Sequence, residues 1–145
     1  MARRDGIPIF LFAVALNFPW EMAQGTLYRM PAGQAPSWVH CLTASVWDGV
    51  LALLIVLSAT LPRLRERIAR PSAGTFLRMV LGGLVLAVAI EWIATRWLGR
   101  WSYTEAMPLI PILNVGVVPV LQLMLLPLLD VAIVSAVVRH RKKGI

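Results

Sequence analysis

The sequence predicts an all-α membrane protein, a four-transmembrane-helix bundle with both the N-terminus and the C-terminus cytoplasmic. Three observations predict it. Four apolar stretches, at about 7–24, 39–61, 76–98 and 109–138, are each long enough to cross a hydrocarbon core of ~30 Å at ~1.5 Å per helical residue. Positive charge alternates between the connections: eleven of the fourteen Lys and Arg fall on one side and only Arg29, Arg96 and Arg100 on the other. By the positive-inside rule the richer side is cytoplasmic. Composition agrees, at 59% hydrophobic and 14% charged residues with a mean hydropathy of +0.75, against about 25% charged in soluble domains.

The elements follow in order. Arg3 and Arg4 precede the first span, which resembles a signal peptide at its start. Its apolar run is short and continues through Asn17, Pro19, Trp20 and Glu21 as a patterned helix, so it is expected to be retained. The second span ends before Arg63, Arg65, Arg67 and Arg70, and Arg78 lies just inside the third. Arg139, Arg141, Lys142 and Lys143 follow the fourth. With connections of about 10 to 15 residues, residues 1–145 form a single transmembrane domain, expected in a bacterial inner membrane. The net charge of +7 sits at span ends, so anionic lipid headgroups are the expected partners and nucleic acid is not. Cys41 is the only cysteine, which excludes an internal disulfide.

Ionisable residues inside a span cost roughly 2.5–3.5 kcal/mol at its centre and call for a reason. Here they are Glu21, Asp48, Glu91 and Asp130. Helical spacing organises them with other polar residues. Asn17, Glu21 and Gln24 lie at i, i+4 and i+7 in the first span, and Cys41, Ser45 and Asp48 repeat that spacing in the second, flanked by His40. Glu91 and Thr95 share a face in the third, and Asn114 and Gln122 bracket Val118 in the fourth. Polar stripes on all four helices predict a shared interior site. Counting from the span ends puts Glu21 and Glu91 roughly 5–10 Å and Asp48 about 15 Å below the outer boundary. Asp130 lies apart, toward the cytoplasm.

All six tryptophans map to the outer half. Trp38, Trp97 and Trp101 read as interfacial anchors. Trp20, Trp47 and Trp92 each adjoin an acid in sequence, and either line walls around the carboxyls or pack between helices. Pro19, Pro119 and Pro127 free backbone carbonyls and kink their helices. The segment 99–108 reads as a cap or short re-entrant turn over the cluster. Gly82 and Gly83 read as close-packing positions. No Gly-rich phosphate loop, His-x-x-His, Cys-x-x-Cys or Gly-x-Ser-x-Gly occurs, and His40 and His140 lie on opposite sides; no metal site and no cofactor is expected.

The run Asn17-Phe18-Pro19-Trp20-Glu21 resembles, in its Asn-x-x-Trp-Glu pattern, a signature of integral-membrane terpene cyclases of the meroterpenoid type. That resemblance implies an acid that protonates an epoxide or alkene at the position of Glu21, with a second acid on a later helix, for which Glu91 or Asp130 would stand. It covers five residues, and those cyclases have more helices. As a whole chain, through 99–103, Met107-Pro108 and Pro119-x-x-Gln122, the sequence resembles a group of small uncharacterised bacterial four-helix integral membrane proteins, which implies architecture and no activity.

Three functions are compatible with these residues. One is an intramembrane cyclase or isomerase of a lipophilic, terpenoid-like molecule, with Glu21, Asp48 and Glu91 as catalytic acids and bases. Asn17, Trp20, His40, Trp47, Trp92, Asn114 and Gln122 would then bind or orient the substrate. Another is a small proton-coupled transporter, acting as a homo-oligomer, with the carboxyls as relay sites. The third is an accessory or assembly subunit of a larger membrane complex, whose polar groups only lock helices together. A transport path needs groups in both halves, and Asp130 alone serves the inner one.

Overall fold

The computed structural model describes residues 2–61 and 63–143. The side chains of residues 2–5, 65 and 141–143 lie outside that description, and with them six charges used for the orientation: Arg3, Arg4, Arg65, Arg141, Lys142 and Lys143. Four helices are long and apolar enough to cross a membrane. The chain is therefore a small polytopic membrane protein. Helix α1 spans Ala2–Gln24, α2 Trp38–Thr60, α4 Ala73–Trp92 and α5 Val117–Lys143, with a short α3, Leu64–Ala69, between α2 and α4.

Local chemistry fixes most of these limits. Ser37 caps α2 by accepting from the His40 backbone N–H at 3.2 Å, and Ser72 caps α4 by accepting from Thr75 N–H at 3.2 Å. At its far end α2 stops just before Pro62, as expected of a residue preceding proline. The Arg67 guanidinium reaches back to the last carbonyls of α2, at 3.1 Å from Leu61 O, where a cation suits the helix dipole. Helix α4 continues into one π-helical turn, Ile93–Trp97, directly above Glu91, and ends at Gly99 with φ of +56°.

The fourth span is shorter than its apolar run. Residues 109–116 are not helical: Leu109–Ile110 (β3) pairs antiparallel with Val115–Gly116 (β4), turning through Ile112 and Asn114 at positive φ. The helix starts at Val117, so Pro119 falls in its first turn, where no backbone bond is lost. Only Pro127 interrupts the ladder of α5.

Two further residue pairs tie the connections together at that same end. Tyr28–Arg29 (β1), after α1, pairs antiparallel with Ser102–Tyr103 (β2), after α4. The bundle thus has a loop end, carrying all four strands, and an arginine-rich end closed by α3, whose Leu64 and Ile68 are buried. The apolar core fills the arginine-rich half, around Ile9, Ile55, Val56, Met79 and Val131.

Helices α4 and α5 meet backbone to backbone at Gly83. A Cβ there would stand 2.1 Å from the carbonyl oxygen of Leu123. That carbonyl is the one whose helical partner Pro127 cannot supply. On the other side, Gly82 faces Ile55 of α2 at an ordinary 4.0 Å.

Candidate functional site

Above the Gly83–Leu123 crossing the helices enclose a cavity of about 530 Å³, a size ordinary for small-molecule sites. Glu21 of α1, Asp48 of α2, Glu91 of α4 and Gln122 of α5 all line it, so the four long helices each contribute a polar group. Two separate arrangements hold the carboxyls.

The first is centred on Gln122. Its Nε2 lies 2.7 Å from Asn17 Oδ1, 2.8 Å from Glu21 Oε1 and 2.9 Å from Asp48 Oδ2. Gln24 donates from Nε2 to Glu21 Oε1 at 2.6 Å and to Gln122 Oε1 at 2.8 Å. The Trp20 indole N–H donates to Gln24 Oε1 at 3.2 Å. The i, i+4, i+7 spacing of Asn17, Glu21 and Gln24 is what aims all three at α5. Glu21 Oε1 and Asp48 Oδ2 thus face the same amide nitrogen, which brings the two carboxyls of α1 and α2 together.

The second arrangement surrounds Glu91, on the α4 side. Its Oε2 accepts from the Tyr103 hydroxyl in a short bond and from Trp101 Nε1 at 3.3 Å. Tyr28 packs edge-on against Trp101, with ring centres 6.2 Å apart, and lies 5.8 Å from the Tyr103 ring. The β1–β2 pairing, which sets Tyr28 opposite Tyr103, builds this aromatic roof. Burial first, and then the nearby Glu91 carboxyl, push both tyrosine hydroxyls well above their ordinary pKa of 10.0, so they remain donors.

The residues expected from sequence divide accordingly. Glu21, Asp48, Glu91 and Gln122 meet in one cavity, with His40 and Trp47 at its edge. Asn17, 1% exposed, lies behind it, bonded to Gln122 and to Ala13 O. Trp20 does not line the cavity; it acts on Gln24. Trp92 points elsewhere: it is 42% exposed, with the Arg96 guanidinium 5.1 Å from its ring centre. Neighbours on a helix diverge by about 100°, which carries Trp92 off the face that Glu91 occupies. Asn114 is exposed in the β3–β4 turn, where its left-handed backbone suits asparagine, and takes no part.

The sequence reads Trp101 as an interfacial anchor within a 99–108 cap and Gln24 as part of the α1 stripe, and singles out neither Tyr103 nor Tyr28 as a partner of Glu91. The strand pairing that delivers Trp101 and Tyr103 joins segments over seventy residues apart and has no local signature. Asp130 is separate, about 12 Å deeper than Gln122 at 1.5 Å per residue. It is 0% exposed, and neither carboxyl oxygen has a partner among the described residues. Also among the described residues, no three His, Cys, Asp or Glu side chains are grouped to hold a metal ion. No family model matches the chain, and no curated protein or solved structure is significantly similar to it.

Proposed function

We propose that this protein is an intramembrane acid–base catalyst, isomerising or cyclising a lipophilic, terpenoid-like molecule. The observation that carries the reading is the convergence of Glu21, Asp48 and Glu91 on one cavity inside the bundle. Glu21 and Asp48, which both face the Gln122 nitrogen, would share a proton and deliver it to an alkene or epoxide carbon or oxygen. Glu91, fixed by Tyr103 and Trp101, would take a proton from a neighbouring carbon. One proton is added and another removed, so the product is an isomer and no co-substrate is needed. The aromatic groups at the roof suit positive charge developing between the carboxyls. The five-residue resemblance at 17–21 points the same way.

The reading includes an orientation. The eleven-to-three split of Lys and Arg favours cytoplasmic termini in a bacterial inner membrane, with the cavity in the outer half and the arginine-rich end against anionic headgroups. Reporter fusions after Gly33 and Glu105 should then report periplasm, and fusions after Arg67 cytoplasm; the reverse pattern would invert the site.

The chemistry is tested in D₂O. Protein in nanodiscs is incubated with a panel of unsaturated isoprenoids, and carbon-bound deuterium is sought in the recovered lipid. Wild type should incorporate deuterium, and Glu21→Gln and Glu91→Gln, each folded, should not. A second reading, an accessory subunit, draws on the Gln122 bonds that tie α1, α2 and α5 together. Gln in place of Glu21 still bridges those helices, so full retention of function by Glu21→Gln would favour that reading and dispose of acid catalysis.

A further inference from the structure

The cavity has a roof, a floor and one incomplete wall. The floor is the Gly83–Leu123 crossing, where α4 is drawn onto α5. The roof is the β1–β2 pair with Tyr28 and Trp101. Between α2 and α4 one contact, Ile55 with Gly82, lies roughly two turns nearer the arginine-rich end than Asp48. Above that point both helices line the cavity. Residues that line it there include Thr43 and Trp47 on α2 and Ile93 and Leu98 beyond Glu91, and all four are also exposed on the outside of the bundle. A side chain that both lines a cavity and faces outward marks a mouth. This one lies on the flank of a membrane-spanning bundle, where the surroundings are lipid.

The chemistry within is one-sided. Every charged group lining the interior beyond that mouth is a carboxyl; the cationic Arg100 lies exposed at the loop end. Among the described residues, no nitrogen donor and no donor from a neutral hydroxyl reaches Glu21 Oε2, Asp48 Oδ1 or Glu91 Oε1. The interior therefore offers acceptors and no cation to hold an anionic head. The lower wall, at Leu51, Ala87, Ile90 and Leu123, is apolar and matches a hydrocarbon chain.

We propose that the gap between α2 and α4 is a lateral portal, through which a single-chain lipid-phase molecule enters with an uncharged or cationic, hydrogen-bond-donating head and its chain along Ala87 and Ile90. The proposal rests on reading the cavity as a site for a lipophilic ligand, and adds the route and the class of head group.

Photolabelling tests it. Protein in nanodiscs is irradiated with a long-chain primary alcohol carrying a diazirine within its chain, and adducts are mapped by peptide mass spectrometry. Ala87 is only 1% exposed, so adducts at Ala87 report entry rather than contact with the outer surface. Wild type should be labelled there by the alcohol and by the matching amine, and not by the matching carboxylate. The double variant Thr43→Trp, Ile93→Trp places one ring on each lip at exposed positions, and should lose the interior adducts while keeping those on the exposed face of α5 at Leu121. Equal interior labelling in the double variant would overturn the portal and leave the cavity as a lipid site. Absence of interior adducts in wild type would overturn both, and interior labelling by the carboxylate would overturn the head-group assignment.

Discussion

Two adjacent glycines should respond to alanine with opposite signs. At Gly83 an added Cβ meets Leu123 O at 2.1 Å, Leu123 C at 2.8 Å and Met124 Cα at 3.1 Å, all of them backbone atoms. Real Cβ atoms essentially never approach closer than 3.0 Å, so α4 and α5 must part by at least 0.9 Å. Overpacking that side chains can relieve costs about 1–3 kcal/mol; backbone cannot rotate away, which puts Gly83→Ala near 3 kcal/mol. At Gly82 the nearest atom is the Ile55 side chain at 4.0 Å. Alanine there meets no obstruction and gains about 0.5–1 kcal/mol from reduced backbone freedom in a helix interior. The two variants should thus differ by roughly 3–4 kcal/mol. Unfolding in mixed micelles by increasing SDS, followed by helical circular dichroism, measures the difference. Equal midpoints for Gly82→Ala and Gly83→Ala would refute the close crossing, and with it the floor of the cavity.

Gln122→Leu removes two amide hydrogens shared among Asn17, Glu21 and Asp48 and the oxygen that accepts from Gln24; at about 0.6 kcal/mol for an average interhelical bond in a membrane, the loss should be about 2 kcal/mol in the same assay, and an unchanged midpoint would discount the network. The tyrosines give a pH dependence. Folding raises the Tyr28 and Tyr103 pKa above 10.0, so below about pH 10 the folded and unfolded states hold the same protons; above it the unfolded state loses them first and stability falls. Tyr28→Phe and Tyr103→Phe should each flatten that alkaline loss, and an undiminished slope in both would count against their burial. Asp130 is enclosed with both oxygens unpartnered, so Asp130→Val should raise stability by about 1–3 kcal/mol; a loss would reveal a partner for its carboxyl.

Period and hydropathy were enough to read α1, α2 and α4, because their stripes recur at helical spacing within one element. The same criterion misread 109–116, where Leu109, Ile110, Ile112, Leu113 and Val115 make an apolar run that is a hairpin. The punctuation was present in Pro108, Pro111, Asn114 and Gly116, and hydropathy outweighed it. In the site, Asn17, Glu21, Asp48 and Gln122 were legible because a polar group in a span has few places to point. Trp92 was not, since adjacency in sequence to Glu91 implies divergence in space. Trp101 and Tyr103 reach Glu91 only through the pairing of two loops, which depends on how the bundle brings α1 and α4 together.

The direction of the α1–α5 network is set at its edge. An indole N–H can donate and cannot accept, so Trp20 requires the oxygen of the Gln24 amide to face it. The Gln24 nitrogen then faces Glu21 and the oxygen of Gln122, and the Gln122 nitrogen in turn faces Asn17, Glu21 and Asp48. Two amides, each with two possible orientations, are thus fixed by one donor outside the cavity. The outcome is an imbalance: the Gln122 nitrogen carries two hydrogens and has three oxygens within 2.9 Å. A proton on one of the two carboxyls would supply the missing donor. Had the amides been reversed, their oxygens would have faced the carboxyls and each acid would have needed a proton of its own. The Trp20-Glu21 pair in the sequence therefore joins the residue that orients the network to the acid it serves, which is why a tryptophan outside the cavity belongs to the site's chemistry.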